Sequence, residues 1–429
     1  MARQGPPKER SRSGQLIHNA IALMISSGGT AILGVVFWGI AARLTTTKNV
    51  GRASAEIAAM VLLANLAQLS FTSIFDRFLP VTGDRTRKFV LNAYVLCAVS
   101  AVVIVAVYMV GGIGSTVVPP VYGWQVLFAV AVVLWTIFIL QDSVLTGLRA
   151  TRWVPVENIL FAIGKIALLP LFLALFPHQG VFLAWTVPLV LSTAMVNWYL
   201  FKRRIPRHEK ASPRSHDYPT TRELFSLGLG QYVTSLISTL MGSLTVLIVI
   251  AKLGATANAY YYIPSLVSTG VSVLLWNLYT SFMVEASHNP DAIRHQAVVT
   301  AKATVALLVP SIVIGVTFAP QILSIFGSQY AVHGTTLLRM LLLSLPGTAI
   351  IGFYAAFAWL NKRVWLLAGR ALIGATIFYV VMLTLIGHFG ILAIGIASLV
   401  GTGVQGILFL PPLIRRFRMT AQIEVSESS

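Results

Sequence analysis

Ionisable residues inside the long apolar stretches of this chain are candidates for function, because an unused charge there would be costly. The four taken as candidates are Lys165, Asp142, Arg339 and Arg370. On insertion scales such a charge costs about 2.5 to 3.5 kcal/mol at the centre of a membrane-spanning helix. Lys165, about midway along its stretch, has the type and position to bind an anionic group. The alternatives are an ion pair with Asp142 or Glu157, or extension of its long side chain to the membrane surface.

The other three residues have structural explanations close at hand. Asp142 lies nearer the end of its stretch and could pair with Arg149 or Arg152. Arg339 and Arg370 lie roughly one and a half turns inside their stretches, within reach of the membrane surface for a long side chain. We therefore keep all three as candidates for binding and as candidates for structural pairs.

Patterns typical of nucleophilic or metal chemistry are absent from the sequence. Cys97 is the single cysteine, which excludes an intramolecular disulfide and a cysteine metal cluster. His178 and His388 have no carboxylate or second histidine at ligand spacing. A membrane glycosyltransferase or polymerase would be expected to carry a large outer loop with acidic catalytic residues, and none is present. We expect no enzyme activity, no metal and no cofactor.

The composition indicates a polytopic membrane protein. Hydrophobic residues make up 56% and charged residues 10% of the chain, and the mean hydropathy is +0.81, whereas a soluble domain has about 25% charged residues. The formal net charge is +18. Its basic residues stand at the ends of apolar stretches and not on one polar module, so we expect no nucleic-acid partner.

The apolar stretches predict an all-α protein with about twelve spanning helices in two six-helix lobes. In the first half they cover 18–42, 54–75, 89–112, 122–146, 154–176 and 181–201. In the second half they cover 224–251, 258–284, 299–322, 335–360, 364–386 and 391–414. The predicted organisation is a basic tail at 1–17, lobes at 18–201 and 224–414, a linker at 202–223 and a second tail at 415–429.

The linker is the only long polar run between the two apolar halves. It carries seven Lys and Arg residues, and Pro206, Pro213 and Pro219 are expected to break any helix that continues into it. Such a segment cannot bury an apolar core, so we expect it to be solvated.

Basic residues are concentrated in alternate loops, which predicts that both termini and the linker lie on the cytoplasmic side of the cytoplasmic membrane. One loop on the opposite face departs from this pattern, with Arg43, Lys48 and Arg52.

The two halves also resemble each other at a shift of about 210 residues, since 42–44 and Asn49 align with 251–253 and Asn258. A common offset of this kind is typical of a duplicated six-helix unit.

Short phrases along nearly the whole chain carry a family resemblance. They are Ala42-Arg43-Leu44 with Asn49-Val50-Gly51, Arg77-Phe78-Leu79-Pro80, Gly147-Leu148-Arg149, Lys252-Leu253-Gly254 with Ala259-Tyr260-Tyr261-Tyr262, and the segments 326–330 and 389–395. In order and spacing they resemble the polysaccharide transporter, or oligosaccharide flippase, branch of the multidrug, oligosaccharidyl-lipid and polysaccharide exporter superfamily. The segment Lys48-Asn49-Val50 departs from the family, which usually has an acidic residue there.

The resemblance implies alternating access and movement of a polyprenyl-(pyro)phosphate-linked glycan across the lipid bilayer. Lys165 would then contact a pyrophosphate or an acidic sugar. Gln231 and Asn277 become candidates because the family places these helices around the central cavity, although amides are also common interhelical hydrogen-bond partners. Glycosyltransferases or a polymerase of a polysaccharide assembly system are expected partners. The alternatives are a cation-coupled multidrug exporter and a lipid II flippase.

Overall fold

The computed structural model describes residues 28–211, 221–288, 293–360 and 364–427. Side chains are described within these ranges except at 113, 221–235, 237, 238, 364–368, 412 and 414–427. In the described ranges every regular element is a helix, as the sequence predicts.

Ten helices in the described ranges are long and apolar enough to cross a membrane, five of them in the first half, where the shorter apolar helix Gly28–Leu44 precedes them. This number is compatible with the prediction of about twelve spans. The helices are α1 (Gly28–Leu44), α2 (Thr47–Ala67), α3 (Phe71–Phe78), α4 (Thr86–Val110), α5 (Tyr122–Gly147), α6 (Trp153–Leu175) and α7 (Gly180–Tyr199). The second span comprises α2 and α3, which are separated by a turn where Leu69 and Ser70 adopt positive φ angles of 48° and 67°. The first ten residues of the predicted span 18–42 lie outside the described ranges.

The other five lie in the second half. The helices are α8 (Ile205–Ala211), α9 (Thr221–His288), α10 (Ile293–Thr317), α11 (Ala319–Ser324), α12 (Ser328–Leu343), α13 (Leu345–Leu360), α14 (Val364–Phe389) and α15 (Leu392–Glu427). α9 contains two spans, because Gly254 at φ 85° and ψ 174° interrupts it. α12 and α13 together form one span. α15 continues to Glu427, beyond the predicted span 391–414, and its part Leu392–Pro411 is long and apolar enough to cross a membrane.

The linker begins as ordered structure, in contrast to the prediction. Residues Leu200–Arg204 form a π-helical turn that leads into α8, and Ile205 is fully buried. Pro206 does not end the helix: α7, the π-helical turn and α8 form one continuous run over Gly180–Ala211, and the π-helical turn lies directly before the proline. Residues 212–220 of the linker, with Pro213 and Pro219, lie outside the described ranges.

Two contacts hold α8 and the turn before it on the first lobe. Arg204 Nη2 donates to the carbonyl oxygens of Leu148 and Arg149, each at 3.1 Å, at the C-terminal end of α5. Glu209 accepts a hydrogen bond of 2.8 Å from the backbone N–H of Arg87 in the first turn of α4. Both side chains satisfy helix-end groups and match the sign of the helix dipole.

The ends of α5 provide a test of topology. Ser115 precedes α5 and Thr151 follows it, and both are exposed. In intact cells with a Cys97→Ser background, we expect Ser115→Cys to react with a membrane-impermeant thiol reagent and Thr151→Cys to be protected. The opposite labelling pattern would reverse the orientation predicted from the basic residues.

The two halves meet mainly where α2 packs along α9. Most of α2 is buried, and many of its buried residues are small, including Gly51, Ala55 and Ala59. Small side chains let two helix backbones approach closely within a membrane. The arrangement therefore places α2 at the boundary between the lobes, while α4 to α7 form the body of the first lobe.

Candidate functional site

Lys165 lies midway along α6, as the sequence predicts, and its side chain is only 6% exposed. Its ammonium nitrogen is 3.8 Å from the ring centroid of Trp185, 5.1 Å from that of Phe161 and 5.2 Å from that of Phe37. We call these three rings the aromatic cage. A cation within about 6 Å of an aromatic face is attracted by the negative charge density of the ring.

Local sequence positions this cage. Phe161 and Lys165 are four residues apart on α6 and so share one helix face. Gly164 allows α6 to approach α7 closely, since a Cβ there would lie 3.1 Å from Pro188. Trp185 is one turn before Pro188 on the same helix. Phe37 completes the cage from α1 and makes an edge-on contact of 5.5 Å with Trp185.

The predicted ion pair between Lys165 and Asp142 or Glu157 does not form. No carboxylate in the described part of the chain lies within ion-pair distance of Lys165. The indole N–H of Trp185 is also buried and has no hydrogen-bond acceptor among the described residues. The cage therefore contains one cation and one N–H donor without an acceptor, and such groups are usually paired when buried.

Arg370 occupies a comparable place in the second half, on its fifth span, α14. Its guanidinium carbon is 5.1 Å from the ring centroid of Tyr354 and 5.3 Å from that of Phe409. Its Nη1 is buried without a described hydrogen-bond partner. In each lobe, the fifth span thus carries a basic side chain that lies against aromatic rings.

The remaining predicted site residues lie on helices of the second half, Gln231 and Asn277 on α9 and Arg339 on α12. Arg339 is exposed, and its Nε donates to the Val316 carbonyl at 3.0 Å near the end of α10. Asn277 is half-buried in α9. The side chain of Gln231 lies outside the described set. A binding role for these three residues stays a prediction.

Among the described residues, two other carboxylates of the first lobe are more deeply buried than Asp142. Glu157 is fully buried and Glu56 is 2% exposed, whereas Asp142 is half-buried. Glu56 pairs with Arg52 at 3.7 Å and accepts a hydrogen bond of 3.3 Å from the indole of Trp124.

The two lobes are in close contact where the first span connects to the second and the seventh span connects to the eighth. We call this contact the outer seam and define it by Gly51, Ser54, Ala255, Asn258 and Ala259. Asn258 Nδ2 donates to the Gly51 carbonyl at 2.7 Å and to Ser54 Oγ at 3.0 Å. A Cβ on Gly51 would overlap the Ala255 carbonyl oxygen and lie 2.9 Å from the Ala259 nitrogen. The backbones meet here with no room for a side chain.

Arg43 strengthens the same side of the lobe boundary. Its Nε and Nη2 donate to the carbonyl oxygens of Ile325 at 2.8 Å and Ser324 at 2.6 Å, at the C-terminal end of α11. A basic side chain is favourable at a helix C-terminus. With the Arg52–Glu56 pair, this contact gives structural roles to two of the three basic residues that departed from the loop charge pattern.

Sequence reasoning missed the aromatic cage, the outer seam and Glu56. Glu56 was detectable because it lies inside a predicted span. Trp185 and Phe37 carried no such signal, since aromatic residues in apolar helices are usually packing residues. The aligned pair Asn49 and Asn258 did mark the region of the seam.

Known proteins give a consistent family and fold. The sequence profile of the polysaccharide biosynthesis protein family matches residues 16–282. No curated protein sequence matches the chain significantly.

Among solved structures, the chain is similar to a multidrug resistance MATE family transporter of the MOP superfamily in its inward-facing conformation, with 14% identity and a TM-score of 0.68, covering 92% of this chain and 96% of that one. The outward-facing conformation of such a transporter has 16% identity and a TM-score of 0.61, and the match covers 94% of this chain and 96% of that one. The MATE transporter ClbM in complex with Rb⁺ has 17% identity and a TM-score of 0.53, and the match covers 95% of this chain and 96% of that one.

These identities are low, so the structural matches establish only that the chain has a fold like that of MATE family transporters. The profile match covers more than half of the chain. The chain therefore belongs to the polysaccharide biosynthesis protein family.

Proposed function

We propose that this transporter is a flippase that moves a polyprenyl-(pyro)phosphate-linked oligosaccharide from the cytoplasmic to the outer leaflet of the cytoplasmic membrane. The observation that carries the proposal is the aromatic cage, where among the described residues the Trp185 N–H has no acceptor and the Lys165 ammonium has no carboxylate partner. A phosphate or sugar carboxylate would supply the missing charge and hydrogen-bond acceptor. Charge-assisted hydrogen bonds of this kind are about twice as strong as neutral ones.

The proposed cycle uses the cage and the outer seam in turn. The anionic headgroup exchanges water for Lys165 and Trp185 at mid-membrane, where a single cation acts much more strongly than in bulk water. Opening of the outer seam then requires Asn258 to release Gly51 and Ser54, and Arg43 to release the end of α11. The prenyl tail stays in lipid throughout. This division lets a polar headgroup cross without exposing the tail to water.

A cation-coupled multidrug exporter is the second candidate, and the buried carboxylates Glu56 and Glu157 favour it. Lys165 argues against it, since a cationic drug in the first lobe would meet a like charge in a water-poor site. An anionic substrate fits the cage better.

A substrate comparison tests the proposal. Proteoliposomes with the full-length protein should translocate a fluorescent polyprenyl-pyrophosphate disaccharide faster than protein-free vesicles. They should not transport ethidium, a cationic dye, above that background. Ethidium transport without lipid translocation would overturn the proposal in favour of the exporter.

A further inference from the structure

The ends of α6 and α7 nearest the linker form an aromatic corner on the first lobe. Trp153, the first residue of α6, and Tyr199, the last residue of α7, are in contact, with ring centroids 4.4 Å apart. Trp153 is 37% exposed, and Trp198 beside Tyr199 is 59% exposed. Tryptophan and tyrosine are enriched where a membrane meets water, because their rings are apolar at one end and polar at the other. The three rings therefore mark the membrane interface on this side of the lobe.

Three basic residues flank this corner. Arg152 directly precedes Trp153, and Lys202 and Arg203 follow Tyr199 by three and four residues. At the helical rise these positions lie about 5 to 6 Å beyond the aromatic rings. The polar headgroup layer extends about 5 to 8 Å beyond the hydrocarbon core. We call Arg152, Lys202 and Arg203 the basic triad, and its sequence positions place it at headgroup level.

The basic triad has no counter-ion among the described residues. Its three side chains are exposed, and none forms an ion pair with a described carboxylate. Arg204, in the same π-helical turn, is bound to the end of α5, and Glu209 of α8 accepts from the backbone of Arg87. π-helical turns are frequent at functional sites. The triad is therefore available to an anion from outside the protein.

Both helices also leave a stripe of apolar side chains exposed next to the triad. The stripes comprise Val156, Leu160 and Ile163 on α6, and Leu191, Met195 and Trp198 on α7, each between 44% and 64% exposed. From Trp153 to Ile163 the α6 stripe descends about 15 Å. That depth is half of a hydrocarbon core about 30 Å thick. Since lipid tails are as apolar as leucine, the stripes are suited to the acyl chains of one leaflet.

We propose that this corner is a binding site for one anionic phospholipid, phosphatidylglycerol, in the leaflet on the linker side of the membrane. The phosphate contacts the basic triad, and the acyl chains follow the apolar stripes. Arginine suits this role because its planar guanidinium donates two parallel hydrogen bonds to a phosphate. The stripes and the aromatic rings favour neutral and anionic lipids alike. The triad therefore provides the preference for an anionic headgroup, and binding does not depend on which substrate the transporter moves.

Lipid binding can be counted without transport. The delipidated full-length protein in detergent is titrated with phosphatidylglycerol or with phosphatidylcholine of the same acyl chains, and native mass spectrometry counts the bound molecules. The first phosphatidylglycerol should bind at least tenfold more tightly than the first phosphatidylcholine. The double change Arg152→Gln and Arg203→Gln should remove this preference, since each basic residue near the membrane surface adds to the attraction. Phosphatidylcholine affinity should not change.

Lys88→Gln with Lys302→Gln is the matched control, because it removes the same charge from exposed positions on α4 and α10. It should keep the preference for phosphatidylglycerol. The unfolding midpoint without added lipid shows whether each double variant folds, and if the first does not, Arg152→Gln and Arg203→Gln are measured singly, each with a loss of about threefold or more.

Three outcomes would overturn the proposal. Equal affinity of the wild type for the two lipids would remove the headgroup preference. An equal loss in both double variants would assign the preference to the net charge of the protein and not to this corner. Displacement of phosphatidylglycerol by an equimolar amount of a polyprenyl phosphate would assign the corner to the glycan carrier lipid instead.

Discussion

Lys165→Ala is expected to reduce translocation of a polyprenyl-pyrophosphate disaccharide by about tenfold or more. A hydrogen bond to a charged group contributes about 1.5 to 3 kcal/mol, and 1.4 kcal/mol corresponds to a factor of ten. Lys165→Arg should retain part of the activity, because it keeps the charge but not the compact shape of the ammonium. Trp185→Phe keeps the ring and removes only the N–H, so a smaller loss is expected. Initial rates in proteoliposomes measure all three.

Protein abundance and the unfolding midpoint distinguish binding from structure. In the binding role, Lys165→Ala leaves both close to wild type, since no carboxylate loses its partner. The matched control is Lys210→Ala, which removes an exposed lysine from α8 and should transport normally. If Lys165→Ala lowers abundance and a second change, Asp142→Ala, restores it, the two residues form a structural pair. Normal transport by well-expressed Lys165→Ala would remove Lys165 from the site.

Gly51→Val should abolish transport by preventing closure of the outer seam. Its side chain would collide with the Ala255 backbone, which lies 2.7 Å from the Cβ position at the carbonyl carbon. Backbone cannot move aside as the end of a flexible side chain can, so the lobes must separate. Ser54→Cys in the Cys97→Ser background reports the separation. Ser54 is fully buried while the seam is closed. A membrane-impermeant thiol reagent should therefore label Ser54→Cys slowly when the seam can close in each cycle, and much faster when Gly51→Val holds it open.

Gly34→Val provides the control, because a Cβ at Gly34 meets no atom within 4 Å. It adds the same side chain to a neighbouring spanning helix and should leave both transport and labelling unchanged. Wild-type transport by Gly51→Val would show that α2 and α9 need not meet this closely during the cycle.

The polar residues show how far sequence reasoning reached at the site. Lys165 was found because a lysine inside an apolar stretch is visible without coordinates. An ion pair with Asp142 or Glu157 was one alternative for its surroundings, and the structure places three aromatic rings around its ammonium group instead. The rotation of α6 about its axis decides between these outcomes, and rotation depends on packing against α1 and α7.

The backbone conformation of the linker also depended on contacts that are distant in sequence. Proline and charge composition indicated an irregular solvated segment. The observed π-helical turn and α8 are held by hydrogen bonds of Arg204 and Glu209 to helix ends on the first lobe. Those helix ends are distant from the linker in sequence.

The sequence by itself determined the all-helical class, the long apolar helices and the position of Lys165 midway along α6. Each of these depends on local properties, because a membrane requires about twenty apolar residues per helix and internal hydrogen bonds for the backbone. Only the tertiary structure decided which helix faces meet. The cage and the outer seam both join residues from different helices, and close packing of side chains selects those contacts from many that the same spans would allow.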